Sequence, residues 1–214
     1  NSTLVGNILD ARFIDSDTIL AYVNFTVTND NGDVIRSGKW GDVLRMEDGN
    51  AKFLLQSAYA ERLDSMAPPK FSVSEATDQQ KKSADFKIIN RSIQRFTDAY
   101  NRADVAALTD EFTEDAVRVV SGLSGVHVGH DAIRNSFESK WSGEVDITSG
   151  SVLKARVLHT TPINSSLVGG AGIWWLTSSD GKVIDGGYWG NVFRKNGDEV
   201  KLLLECAGSQ SMAN

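Results

Sequence analysis

The sequence has few of the residues that cross-link or interrupt a chain: it holds one cysteine, three prolines and three histidines in 214 residues. A lone Cys206 excludes an internal disulfide framework and fixes no cellular compartment. Basic residues are not in excess, since 22 Lys and Arg stand against 28 Asp and Glu, which argues against a nucleic-acid partner. No run approaches the roughly 18 apolar residues of a membrane span. We therefore expect a globular chain that neither binds nucleic acid nor spans a membrane.

A nearly identical stretch occurs twice, as "SGKWGDVLR" and "GGYWGNVFR". The two stretches lie 149 positions apart, and this offset holds without a gap from Ser2/Ser151 to Ala58/Ala207. Such self-similarity predicts a tandem repeat. A long helical pattern precedes only the second copy, because residue 1 aligns with Gly150. We expect the natural chain to carry the first copy's helices upstream of Asn1.

The first copy is rich in β-branched and aromatic residues, and its apolar runs are separated by the turn sequences "NDNGD" and "EDGN". This pattern predicts four antiparallel strands in residues 1–66, the sheet half of a first domain. Residues 67–82 hold two of the three prolines with Ser, Thr and charged residues, which predicts a linker. Gly41 and Gly190, each directly after a tryptophan, predict a bend that increases the curvature of the sheet.

The hydrophobic period changes to that of a helix at about Ser83, where apolar residues fall on one face. A short helix in "ADVAALTDEF", a strand in "AVRVVSG", a helix that begins near Gly129 and four further strands follow. We therefore predict an α+β fold for residues 83–214: a cone-shaped, curved antiparallel sheet that is covered by three helices. A partial copy of the same sheet precedes it.

The segments "FTDAYNRADVAALTDEFTEDAVRV" and "GHDAIRNSF", followed by long hairpins, resemble the nuclear transport factor 2-like superfamily of SnoaL-like and ketosteroid-isomerase-like cone domains. The resemblance covers about residues 83–210, together with the sheet half in residues 1–62. It implies a cone that encloses an apolar pocket. It does not fix an activity, because enzymes and association domains share this fold.

The resemblance also allows known catalytic sets to be tested residue by residue. The base, tyrosine and sheet-aspartate positions of ketosteroid isomerase-like enzymes hold Val120, Phe96 and Asn191, so that enolisation chemistry is not expected. In the first copy, Asp42 stands at the Asn191 position. SnoaL-like enzymes carry acids on the last strand, where this chain offers only Glu205, which we interpret as structural or solvent-facing.

The three histidines are the remaining candidates for chemistry. His127, His130 and His159 have no carboxylate or cysteine at ligand spacing, so we predict neither a metal site nor a cofactor. An enzyme remains the alternative hypothesis: a lyase, isomerase or hydrolase that acts on a small hydrophobic substrate. Its acid or base would be one of the three histidines, Tyr100 or Glu205.

The aromatic residues of the repeated strand indicate a pocket. Period-two spacing places Trp189, Asn191 and Phe193 on one face, towards which Phe96 and Tyr100 of the first long helix can reach. With Val120, these are the predicted pocket residues, and Trp40, Asp42 and Leu44 are their first-copy equivalents. Our leading hypothesis is a non-catalytic module that binds a small hydrophobic ligand or associates with other proteins.

The concave face of the first sheet requires a cover, because it carries Ile19, Trp40, Leu44 and Leu54. Besides upstream helices, the candidates are the back of the second sheet and another copy of the chain. If the helices are absent, we expect packing between the sheets. We also expect a homo-oligomer, or association with another cone domain.

Overall fold

The computed structural model describes residues 1–61, 73–121, 123, 125–142 and 150–209. The strands are β1 Ser2–Phe13, β2 Thr18–Asn29, β3 Val34–Glu47, β4 Asn50–Glu61, β5 Phe112–Val120, β6 His127–Val128, β7 Val152–Pro162, β8 Leu167–Thr177, β9 Val183–Asn196 and β10 Glu199–Ser209. The helices are α1 Asp78–Lys82, α2 Ala84–Asn101, α3 Val105–Asp110 and α4 Gly129–Ser142. The structure is thus mixed α+β, as predicted.

Two sheets contain all of these strands. Sheet A has the strand order β1-β2-β3-β4 and is an antiparallel meander. Sheet B has the order β6-β5-β10-β9-β8-β7 and is antiparallel except where β5 runs parallel to β10. β10 therefore lies inside sheet B, between β5 and β9, and both of its faces can be covered.

The helices cover one face of sheet B, which we call the inner face. The Ser83 hydroxyl caps α2 by accepting a hydrogen bond from the Phe86 amide at 3.0 Å, and the Asp104 carboxylate caps α3 through the Ala107 amide. The buried residues between the helices and the sheet form one core: Phe86, Ile89, Ile93, Leu108, Phe112, Ala116, Ile133, Phe137, Val157, Val168, Trp189, Phe193, Val200 and Leu202.

The opposite face of sheet B, its back face, packs against the back face of sheet A. This second core comprises Leu20, Tyr22, Val43 and Tyr59 of sheet A with Val117, Val119, Leu167, Val192, Leu203, Leu204 and Cys206 of sheet B. Hydrogen bonds also cross this contact, since the Lys39 ammonium donates to the carbonyl oxygens of Leu123 and Gly125. Arg45 likewise donates to the Ile163 carbonyl at 2.6 Å.

The two sheets have matching registers at the 149-residue offset of the sequence. β3 and β9 have bounds that differ by the repeat offset, and both outer hairpins shift register at matching places, between Ile8 and Asp10 and between Val157 and His159. Residues 149 apart also meet across the contact, because Asn164 donates to Asp15 at 2.8 Å and the Cys206 thiol donates to the Ser57 carbonyl at 3.1 Å. The back-to-back contact is therefore pseudo-twofold.

Three expectations need correction. Packing between the sheets was expected to cover Ile19, Trp40, Leu44 and Leu54, but the covered face of sheet A is opposite to that of the first three. Leu54 was misplaced, because the register shift at Val43/Leu44 sets Phe53, and not Leu54, opposite Leu44. The reason is that β2 is apolar on both sides, so that Leu20 and Tyr22 also form a packing surface. The predicted linker contains α1, and the predicted strands omitted the short β6. The division into domains at residues 66 and 83 stays a prediction, and residues 62–72 lie outside the described part.

Gly41 and Gly190 also differ from the prediction of a bend. Both lie on the back faces, where a Cβ atom on Gly41 would be 2.9 Å from Leu204 Cδ2 and one on Gly190 would be 2.6 Å from Ser57 Oγ. The register shifts of these strands fall at other residues, among them Val43 and Leu44. The two glycines therefore allow the sheets to approach each other closely.

Candidate ligand site on the inner face of sheet B

The predicted residues of β9 face the helices. Trp189 and Phe193 are buried in the core under the helices, whereas Tyr188, directly before Trp189, is 43% exposed. The Trp189 indole donates to the Ile173 carbonyl at 3.1 Å, which fixes the orientation of the ring. Alternation along the strand therefore turns Trp189 and Phe193 towards the helices and Tyr188 away from them.

Asn191 lies between those two aromatic residues and is 4% exposed. Its side-chain oxygen accepts a hydrogen bond from the Cys206 amide at 3.0 Å. This bond satisfies a buried backbone donor of β10, so the Asn191 carbonyl has a structural role. Only its NH₂ group remains to donate to a ligand.

The predicted helix residues reach the same core. Phe96 packs edge-on against Phe112 and Phe137, with ring centroids 6.3 Å and 6.2 Å away. Tyr100, one turn further along α2, packs edge-on against Trp141 of α4 at 5.3 Å. The structure thus brings both residues to the side on which Trp189 and Phe193 lie.

Four half-buried members of this core lie at one end of sheet B. Val120 ends β5, Tyr100 and Trp141 lie in the last turns of α2 and α4, and Trp174 lies near the end of β8. The Ser209 amide bonds the Ser121 hydroxyl at the same end. Aromatic side chains thus surround this end of the inner face, where Tyr100, Val120, Trp141 and Trp174 are partly exposed.

A buried ion pair, which was not predicted from the sequence, lies on the inner face. Arg118 Nε donates to Glu205 Oε2 at 2.6 Å, and the two side chains are only 7% and 10% exposed. Arg118 also donates to Ser136 Oγ at 3.0 Å, and its guanidinium carbon lies 4.2 Å from the centroid of the Phe137 ring. α4 therefore positions both the hydroxyl and the ring that hold the arginine.

The interpretation of Glu205 as a solvent-facing or merely structural edge residue was wrong about its exposure. Glu205 pairs directly with Arg118 in the parallel β5–β10 ladder, and β10 is an interior strand. The signal that could have revealed the pair is the arginine itself, because it is the one charge in the apolar segment "AVRVV". A buried charge of this kind needs a partner.

His127 lies beside this ion pair, since it stands directly opposite Arg118 in the β5–β6 ladder. Its Nε2 atom is buried and makes no hydrogen bond within the described part of the chain. Burial lowers the pKa of His127 below its ordinary value of 6.5, and the positive charges of Arg118 and Lys39 lower it further. The ring is therefore neutral at pH 7 and can accept a proton.

The other two histidines have structural partners elsewhere. His130 Nε2 donates to the Phe112 carbonyl at 2.9 Å, which ties the start of α4 to β5. His159 is exposed on β7, where its ring nitrogens contact Gln80 at 2.8 Å and Thr161 at 3.0 Å. It lines a cavity of about 290 Å³ between β4 and β7, away from the inner face. The structure thus separates the three candidates.

Neither a cluster of metal ligands nor a membrane-spanning helix occurs among the residues that the structure describes. No three His, Cys, Asp or Glu side chains among these residues cluster as a metal site requires. None of the helices there is long and apolar enough to cross a bilayer.

The first-copy equivalents form a different surface. The Trp40 ring stacks on Phe25 at 5.2 Å, and Leu44 is half-buried. Asp42 is 4% exposed, and burial raises the pKa of its carboxyl group, although hydrogen bonds from Gln56 and Trp40 oppose the shift. No helix of the described residues covers these side chains.

Comparison with known proteins supports the architecture. No family profile and no curated protein sequence matches the chain. Among solved structures, a domain of unknown function from Nostoc punctiforme with a cystatin-like fold is 15% identical, with a TM-score of 0.50 over 62% of this chain and 80% of that one. The matched part of the chain has this cystatin-like fold.

Two other structures are similar to the chain at slightly lower scores. One is an NTF2-like protein with a cystatin-like fold from Novosphingobium aromaticivorans, with 15% identity and a TM-score of 0.49 over 58% of this chain and 80% of that one. The other is a ketosteroid isomerase-like protein from Erwinia carotovora atroseptica, with 16% identity and a TM-score of 0.47 over 60% and 98%. These likenesses assign no activity to this chain.

Proposed function

We propose that the inner face of sheet B binds a small organic molecule that has an apolar body and one group that accepts hydrogen bonds. The observation that carries this proposal is the buried Arg118–Glu205 pair on a face otherwise lined by aromatic and aliphatic side chains. A pocket that is mostly apolar, with a few polar groups that converge in it, is the usual form of a small-molecule site.

The ion pair supports a binding role better than a purely structural one. Burying two charges costs more solvation energy than an exposed pair does, and apolar residues of equal volume often stabilise a fold as well or better. Ionisable groups buried in a cleft are therefore candidates for functional sites. Arg118 makes one bond to Glu205 and one to Ser136, and a guanidinium group has further N–H donors that a ligand can use.

The aromatic side chains define what the rest of the ligand should be. Tyr100, Trp141 and Trp174 present ring surfaces at the partly exposed end, and Phe137 stacks under the arginine. Rings favour flat or alicyclic hydrocarbon bodies. The ligand we propose is thus a small hydrophobic compound with one carboxylate, carbonyl or hydroxyl group directed at Arg118.

A binding screen with a matched control tests this proposal. We would measure the affinities of aromatic and alicyclic acids, and of their amides and esters, by calorimetry. Arg118→Met should weaken binding at least about tenfold, because a hydrogen bond to a charged group contributes about 1.5–3 kcal/mol. Arg95→Met is the control, because Arg95, Glu111 and Ser92 form another Arg–Glu–Ser group whose arginine is 43% exposed. Equal affinities in both variants would contradict the proposal.

A second candidate is proton transfer by His127. It is favoured by the buried Nε2 atom without a hydrogen-bond partner and by the lowered pKa beside Arg118. Such a ring stays a competent base below pH 6.5. An NMR titration should show its ring protons shifting below pH 6.5. If His127 titrates at or above 6.5, the ring is not held neutral, and this candidate fails.

A further inference from the structure

The face of sheet A that points away from sheet B is apolar, and we call it the open face. It comprises Leu4, Ile8, Phe13, Ile19, Trp40, Leu44 and Phe53, together with smaller residues between them. Four of these side chains are largely exposed: Leu4 by 60%, Ile8 by 67%, Phe13 by 62% and Phe53 by 64%. Clustered exposure of this kind marks interaction surfaces, unlike single exposed apolar residues.

The equivalent surface of sheet B shows what this kind of face binds. The counterparts of Leu4, Ile8 and Phe53 at the repeat offset are Leu153, Val157 and Leu202, which are 8%, 0% and 1% exposed. Helices cover these three residues of sheet B. α2 contributes Phe86, Ile89 and Ile93 to that core, and a Cβ atom on Gly170 of β8 would be only 3.2 Å from Ile89 Cδ1.

A second observation on the open face is independent of its hydrophobicity. Asp42 lies on the interior strand β3 and is 4% exposed. Its carboxyl group has hydrogen bonds from Gln56 and Trp40, yet its Oδ1 atom has no hydrogen-bond partner among the described residues. The equivalent oxygen of Asn191 accepts a bond. A buried acceptor without a partner is costly, and a group that covers the open face could supply the donor.

We infer that the open face is a docking surface for an amphipathic α-helical segment of polypeptide. The apolar side of this segment resembles the side of α2 that packs against sheet B. The occupant carries apolar residues at helical spacing and a side-chain donor that reaches Asp42. A lipid surface is disfavoured, because the central part of the face has no Lys or Arg and the chain has a net charge of −6.

The test uses a labelled synthetic peptide of residues 83–102, which contains α2, as the probe for the complete chain. We expect saturable binding by fluorescence anisotropy. Binding should weaken at least about tenfold in Ile8→Lys and Phe53→Lys, because a buried lysine opposite a helix is unfavourable. Ile184→Lys is the control, because Ile184 is a 43% exposed apolar residue on β9, outside the open face. A peptide with Ile89→Asp and Ile93→Asp should not bind.

Each other outcome overturns the inference. Binding that Ile8→Lys and Phe53→Lys leave unchanged would mean that the peptide displaces α2 from sheet B. If there is no binding and the chain is a monomer, the open face does not accept helices. If there is no binding and the chain is a dimer that Ile8→Lys dissociates, the occupant is a second copy. Light scattering of the same samples separates the last two results.

Discussion

At the residue scale, Arg118 and Glu205 are the clearest departure of this chain from a simple apolar core. Both side chains are at least nine-tenths buried, and Ser136 and Phe137 hold the guanidinium group. Arg95 and Glu111 have similar distances, but the Arg95 side chain is 43% exposed. A comparison of the two Arg–Glu pairs therefore isolates the effect of burial on stability, because the groups involved are the same.

We predict that Glu205→Gln lowers the free energy of unfolding by about 3–5 kcal/mol, because it leaves Arg118 buried with an uncompensated charge. Replacing both residues, as Arg118→Met with Glu205→Leu, should recover most of this loss. Glu111→Gln should cost about 1 kcal/mol or less, since its partner is solvated. Urea denaturation of the four proteins measures these differences. A double variant less stable than Glu205→Gln would show that the pair itself stabilises the fold.

Cys206 reports on the contact between the two sheets. Burial raises the pKa of its thiol from the ordinary value of 9.0 to about 11, while a hydrogen bond from the Ser57 side chain opposes the shift. The folded state thus holds the proton more tightly than the unfolded state. Its contribution to stability is complete below pH 9.0 and is lost as the pH rises towards about 11.

We predict that Cys206 does not react with a thiol reagent at pH 8 in the native protein and reacts fully in urea. Cys206→Ala should remove the part of the alkaline loss of stability that this thiol causes. Kinetics of modification, followed with and without denaturant, provide the measurement. Rapid native reaction would mean that the sheets separate readily.

At the scale of the elements, the hairpins could be predicted from the sequence and their packing could not. Turn sequences such as "NDNGD" and "EDGN" separate apolar runs, so the strands and the matching registers of the two copies follow from local chemistry. The parallel pairing of β5 with β10 joins residues such as Arg118 and Glu205 that are far apart in the chain. No local pattern indicates it, and the ion pair was therefore missed.

The same limit explains the error about sheet A. β2 buries Leu20 and Tyr22 on one side and Ala21 and Val23 on the other, so its sequence has no polar face that identifies the solvent side. Alternation predicts which residues share a face but not which face is covered. The inward placement of Trp189 and Phe193 was predictable because Tyr188 and Arg194 are polar neighbours.

We predict that Gly41→Val and Gly190→Val each destabilise the protein by about 1–3 kcal/mol, because their side chains would overlap Leu204 and Ser57. Ala51→Val on β4 is the control, because Ala51 is exposed and lies outside this contact. Thermal unfolding gives the order of stability. If the glycine variants were as stable as the control, the sheets would have room to separate at no cost.

At the scale of the whole molecule, the pseudo-twofold contact between the sheets has consequences for assembly. In a true twofold dimer, a surface patch meets its own copy, and each contact occurs twice. Here Asp15 meets Asn164 and Ser57 meets Cys206, which are the pairs that such a dimer would form between equivalent positions. Sheet A thus occupies the place that a second sheet B would take.

We therefore predict that a fragment of residues 73–214 folds and forms a homodimer through its back face. Without sheet A, that face would expose Val117, Val119, Leu203 and Cys206, which are all at most 1% exposed in the complete chain. Such an apolar surface is unfavourable in water, and a second copy can cover it in the geometry that sheet A now has.

Sedimentation equilibrium should give twice the fragment mass, and Gly190→Lys should convert the dimer to a monomer because it places a charge at the centre of the contact. The same fragment carrying Asn135→Lys, at an exposed position of α4 outside that face, controls for a general effect of added lysine. An unfolded fragment would show that sheet A is part of one folding unit, and a folded monomer would show that the back face needs no cover.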